Sequence, residues 1–231
     1  MSIQDTVGVY DQAEFAENPE ARCSIVLILD VSGSMGGLKM QTVNQALVKF
    51  GEIIKEDSVT ALRADVAIIE FDHDARVVQD FTNGTDFEPP TLSVKGGTNY
   101  SKAVNLALDI TEARKQSYRD GGIAYYRSLA YFLSDGYPEH DDAGELTKAA
   151  DRLKAAEESR GIAFFCFGIG SPDLPVDMSA LNELAPRAAI ELTNMEQLEG
   201  SIQWLSRSVA AVSQSQPGEA IRLPEPDYLD F

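Results

Sequence analysis

The 231-residue chain is 44% hydrophobic and 24% charged, the composition of an ordinary globular protein with one sizeable core. Its 19 lysines and arginines face 37 aspartates and glutamates, a net charge of −18, which argues against a nucleic-acid backbone or an anionic membrane face as the main partner. A metal ion or a cationic surface is the more natural counterpart, and much of the charge serves solubility alone.

Residues 1–21 are polar and mixed, an arm or short edge element with neither the basic start nor the apolar core of a secretory signal. No run approaches the roughly 18 apolar residues of a membrane span. Cys23 and Cys166 each lie in or beside an apolar run, which reads as two buried free thiols in a reducing, cytoplasmic setting.

SIVLIL at 24–29 is apolar throughout and predicts a parallel strand buried on both faces. Met40, Val43, Leu47, Phe50 and Ile54 then follow at helical spacing. ADVAIIEF at 64–71 and ARVVQDF at 75–81 are separated only by a DHD turn, so the second must run antiparallel to the first, at an edge. A loop rich in Asn, Gly, Thr and Pro fills 82–97 and leads into a helix with Tyr100, Ala103, Val104, Ala107 and Leu108 on one face. Thr98 lies at or near that helix start.

SYRDGGIAY reads as a linker to a third long apolar strand within 126–136, which ends in a Ser-Asp-Gly cluster. Asp141 or Asp142 is placed to cap a helix carrying Leu146, Ala150 and Leu153. A buried strand at 161–170, a short helix over Met178, Leu181 and Leu184, a short strand at 188–192 and a long helix from Met195 to Val212 complete the pattern. Alternation of this kind predicts an α/β fold: a doubly wound, Rossmann-like, mostly parallel sheet with one antiparallel edge strand and helices on both faces. The domain is expected over 22–212. An acidic, proline-containing tail over 213–231 is either disordered or an extended strap.

Ligands of such sheets sit beyond the carboxyl ends of the strands. Three polar clusters fall there: Asp30, Ser32 and Ser34 in DVSGS, Thr98 in GGT, and Asp135 in SDG. All five side chains offer oxygen and none is Cys or His, so a hard cation such as Mg²⁺ suits them better than Zn²⁺.

DVSGS, GGT and SDG, in that order and on those elements, resemble the von Willebrand factor A (VWA) domain and its metal-ion-dependent adhesion site (MIDAS). The resemblance spans about 22–212, and the short spacing looks most like stand-alone bacterial members linked to tellurium resistance and stress response, or to kinase and phosphatase partners. It implies that the hydroxyls of Ser32 and Ser34 bind the ion directly, Thr98 directly or through water, and Asp30 and Asp135 through waters. An Mg²⁺ ion, with Mn²⁺ or Ca²⁺ as alternatives, would then keep an appetite for a Glu or Asp carboxylate of a partner protein. The expectation is a binding module, not an enzyme, that engages neither nucleic acid nor membrane.

Two enzyme readings compete with it. Ser34 in SGSMG is close to a nucleophile elbow, with Asp135 and His140 following in the order of a hydrolase triad, but the elbow's first glycine is replaced by Ser32. Asp30 could open a metal-dependent phosphatase, but the second aspartate such enzymes use is here Ser32. His73 reads as a solvated loop residue. In the tail, Glu225, Asp227 and Asp230 among Tyr228, Leu229 and Phe231 could dock on a neighbouring copy, on the tail's own domain or on a partner.

Overall fold

The computed structural model describes residues 14–136, 138, 141–170 and 175–229. Strands β1 (Cys23–Asp30), β2 (Ala64–Phe71), β3 (Ala75–Asn83), β4 (Ser128–Ser134), β5 (Ile162–Ile169) and β6 (Ile190–Leu192) form a sheet of order β3-β2-β1-β4-β5-β6. Only the β2–β3 pair is antiparallel, as the short DHD connection requires. Around them lie α1 (Leu38–Glu56), α2 (Ser58–Arg63), α3 (Tyr100–Asp120), α4 (Ala143–Glu158), α5 (Met178–Leu184) and α6 (Met195–Ser213).

The pleat divides β1 between two cores. Ile25, Leu27 and Leu29 pack with Val43, Leu47 and Phe50 of α1 and Leu198, Leu205 and Val209 of α6. Val26 and Ile28 face Val104 of α3, Leu146 of α4 and Leu181 of α5. Side chains buried to this degree contribute roughly 1.5–3 kcal/mol each, which explains why β1 has no polar face. The alternation also places Asp30, two residues beyond Ile28, on the α3 side of the sheet.

One predicted boundary is wrong. SYRD is the last turn of α3, not linker, because Tyr118 continues the buried stripe of Thr111 and Arg114. Its hydroxyl donates to Asp65 at 2.6 Å. Asp65 also receives Arg114 Nη2 at 2.8 Å and lies 3.5 Å from Arg22 Nε, all three side chains being buried. Phe15, in a short helical turn ahead of β1, packs on Tyr118 at 5.7 Å and lies beneath the Arg114 guanidinium at 5.2 Å. The described part of the N-terminal arm is thus anchored by this ionic cluster.

Within the described residues the tail is a strap. Trp204 Nε1 donates to the Pro224 carbonyl at 2.9 Å, Arg207 pairs with Asp227 through both nitrogens, and Tyr228 is buried against Trp204 and Phe167. Gly200 permits this, since a Cβ there would lie 2.6 Å from that of Tyr228. Asp230 and Phe231 lie outside the described residues, and among the described residues no helix is long and apolar enough to cross a membrane.

Candidate metal centre

The strand order turns outward in both directions between β1 and β4, so the loops after these two strands diverge and leave a crevice above them. Asp30 ends β1 and Asp135 follows β4, and both are buried. The loop before α3 is drawn in by the backbone: Gly33 N donates to the Gly96 carbonyl at 3.0 Å, and Lys95 N to that of Val31 at 2.6 Å. These bonds bring buried Thr98 to the same end of the sheet. The helix cap itself is Asn99, which accepts from Lys102 N, while Asp141 receives Tyr100 N and Ser101 N at 2.5 and 3.0 Å. Thr98 is therefore not spent on capping α3, and the neighbouring helix α4 is capped by Asp142.

The two aspartates are held differently. Asp30 accepts from Ser32 N at 2.7 Å through one oxygen and from Ser134 Oγ at 2.5 Å through the other. Ser134 Oγ also lies 2.7 Å from the Tyr100 hydroxyl, extending the chain onto α3. Burial pushes the Asp30 carboxyl up to about 7, with the Ser134 and Ser32 hydrogen bonds opposing the rise and the charge of Asp135 adding to it. Asp135 instead has one oxygen 3.3 Å from Lys39 Nζ and the other, Oδ1, buried with no hydrogen-bond partner.

An orphaned carboxylate oxygen of this kind costs about 1–3 kcal/mol or more, so a cation or its bound water is the natural complement. Ser32 Oγ and Ser34 Oγ lie 3.1 Å apart, Ser32 buried and Ser34 open to solvent, and the Lys39 ammonium that meets Asp135 also reaches the Ser34 carbonyl. Neutral hydroxyls, one of them solvent-exposed, together with buried carboxylates suit a divalent cation that keeps one side open. Among the described residues no three His, Cys, Asp or Glu side chains cluster as a metal group.

Lys39 was not singled out by sequence reasoning. It is buried, and besides Asp135 it reaches the Ser34 carbonyl at 3.4 Å. The signal was present: a lysine occupies the first turn of α1 on the apolar stripe that continues through Val43 and Leu47. His73 sits near the GGT loop, its Nδ1 3.1 Å from Asp72, and His140 lies outside the described residues.

Residues 24–204 match the family model of the von Willebrand factor type A domain. The chain belongs to that family. Among curated proteins, this VWA domain is 28% identical over 179 residues to inter alpha-trypsin inhibitor heavy chain 4 of Mus musculus, covering 73% of the chain but 18% of the relative. It spans less than a third of the length of the curated relatives it matches. Its fold is similar to the vWF domain of the type V pili tip protein Mfa5 from Porphyromonas gingivalis, with a TM-score of 0.63 at 12% identity, covering 87% of this chain and 99% of that one. It is also similar to proximal thread matrix protein 1 from the mussel byssus, solved with a zinc-occupied MIDAS motif: TM-score 0.55, 14% identity, 82% of this chain and 46% of that one. At these identities the two structures establish the fold alone.

Proposed function

We propose that the chain binds a divalent cation among Asp30, Ser32, Ser34, Thr98 and Asp135 and uses it to engage a carboxylate of a protein partner. The observation that carries this reading is Asp135 Oδ1, buried without a partner, on a carboxylate that Lys39 links to the serine-bearing loop through the Ser34 carbonyl. Ser32, Ser34 and Thr98 supply neutral oxygens, Asp135 Oδ1 orients a bound water or the ion, and Asp30 balances charge from behind Ser32. Mg²⁺ suits the all-oxygen donor set, with Mn²⁺ or Ca²⁺ as alternatives, and the zinc-bearing relative supports a divalent ion in general.

Charge decides what the loaded site would bind. With both aspartates ionised, Lys39 leaves one net negative charge, and a divalent cation turns this into one net positive charge. One partner carboxylate neutralises it. Leu38 and Val94 are 64% and 43% exposed, and Val94 lies beside Gly36 of the site loop, so an apolar rim stands ready to exclude water around that contact. The reading gives Ser34 and Asp30 no catalytic role. A narrower assignment, a scaffold in a bacterial stress response of the tellurium-resistance-associated type with a kinase or phosphatase as partner, is supported by the motif spacing alone.

Affinity capture with and without chelator tests the proposal, with Thr98→Ala as control. Partner binding is expected to need Mg²⁺ or Mn²⁺ and to fall in the variant while the fold persists. A complex insensitive to EDTA contradicts it.

A further inference from the structure

The end of the sheet away from Asp30 and Asp135 carries a second feature. A cavity of about 800 Å³ opens there, bounded by the end of α3, the segments entering β4 and β5, and the strap at 218–223. With β4 between them, it lies roughly 20 Å from the candidate metal centre at about 3.3 Å per strand residue. In a chain with 37 acidic and 19 basic residues, five cations line it: Lys115, Arg119, Arg127, Arg160 and Arg187. The only carboxylates among its lining residues are Glu112 and Glu219.

The cations are not fully neutralised. Arg119 pairs with Glu112 at 2.7 Å, and Glu157 serves both Arg187 at 2.7 Å and Arg127 at 3.9 Å. Lys115 donates to the neutral Gly161 carbonyl. Neither Lys115 nor Arg160 has an ion-pair partner among the described residues. The cations also oppose one another: burial lowers the Lys115 ammonium from its usual range, with Glu112 opposing the fall and Arg119 and Arg127 adding to it, and burial lowers Arg127, with Glu157 opposing and Arg187 and Arg160 adding. An anion in the cavity would relieve that repulsion.

Three of the guanidinium groups are already oriented. Arg187 stacks over Phe165 with its carbon 5.5 Å from the ring centroid, Arg119 donates to the Tyr125 hydroxyl at 3.1 Å, and Arg127 is fixed by the Ile162 and Glu157 carbonyls at 2.8 and 3.0 Å. Arg160 stands at φ 58° just past the C-terminus of α4, a left-handed position where glycine is the usual residue. A long cation stands there against backbone preference, lining a cavity in which five cations face two carboxylates.

We propose that this cavity binds a small phosphorylated anion, held by Lys115, Arg127, Arg160 and Arg187. Guanidinium forks match phosphoryl oxygens in pairs, and the volume leaves room for an organic group beyond the phosphate. The site is independent of the candidate metal centre.

Inorganic pyrophosphate is the probe, titrated calorimetrically into the full chain in EDTA so that no metal can bridge it to the other end of the sheet. One binding event is expected, weakening as salt rises. Arg160→Gly combined with Arg187→Gln should weaken it at least tenfold. Arg160→Gly relieves the backbone, and thermal unfolding would show that the fold is kept. Lys49→Gln, a distant surface cation on α1, should bind as the unaltered chain does. Absence of binding, equal affinity in the double variant, equal affinity for citrate, or preference for a poly-glutamate peptide over pyrophosphate would each overturn the assignment.

Discussion

Lys39→Met removes one charge from the candidate metal centre while keeping a side chain of similar length. Lys39 Nζ lies 3.3 Å from Asp135 Oδ2, and the two side chains are 8% and 1% exposed. At an effective dielectric near 20, two unit charges at that separation attract by about 5 kcal/mol. Removing one partner of a buried pair costs about 3–5 kcal/mol, because the other charge stays desolvated. The variant already has Asp135 Oδ1 without a partner, so in EDTA its urea midpoint should fall by about 1–2 M. A divalent cation can replace the missing charge and no longer has an ammonium opposing it. Mn²⁺ should therefore raise the variant's midpoint more than that of the unaltered chain, with cation affinity higher by tenfold or more. An unchanged midpoint in EDTA, or equal stabilisation of both proteins by Mn²⁺, would refute the reasoning.

Asp65→Asn should destabilise the domain by about 3–5 kcal/mol in denaturant unfolding, because the buried Arg22 and Arg114 then keep only the more exposed Glu14 as a shared counter-charge. Tyr228→Ala should cost about 3 kcal/mol and expose Trp204, seen as a red shift of its fluorescence. Cys23, whose thiol burial pushes up to about 12, and Cys166, pushed up by the same cause, should resist a thiol reagent at pH 8 until the protein unfolds. Leu38→Ser with Val94→Ser should weaken partner capture without altering Mn²⁺ affinity, since both side chains are solvent-exposed and neither offers a metal donor.

Where burial imposes a period, the chain could be read directly. β1, β4 and β5 are apolar on both faces because helices cover both, and the DHD turn was too short for anything but an antiparallel edge strand. Asp30 and Asp135 were legible because each interrupts an apolar run at its carboxyl end. The end of α3 was not, since Tyr118 looks polar in sequence and owes its burial to Asp65, a residue on β2 that only the fold brings near. Lys39 was missed for a similar reason: its role comes from a carboxylate just after β4, which only the fold brings to α1. The tail's docking depends on the absence of a side chain at Gly200, for which local pattern offers no signal.

In the proposed site, oxygens from three separate segments hold one divalent cation. Titrating Mn²⁺ into the metal-free chain, followed calorimetrically and by the loss of the free-ion paramagnetic resonance signal, tests it most directly. One equivalent should bind, and Ser32→Ala with Thr98→Ala should abolish binding while the unfolding transition stays cooperative. Failure of the unaltered chain to bind Mn²⁺, or undiminished binding by the double variant, would contradict it.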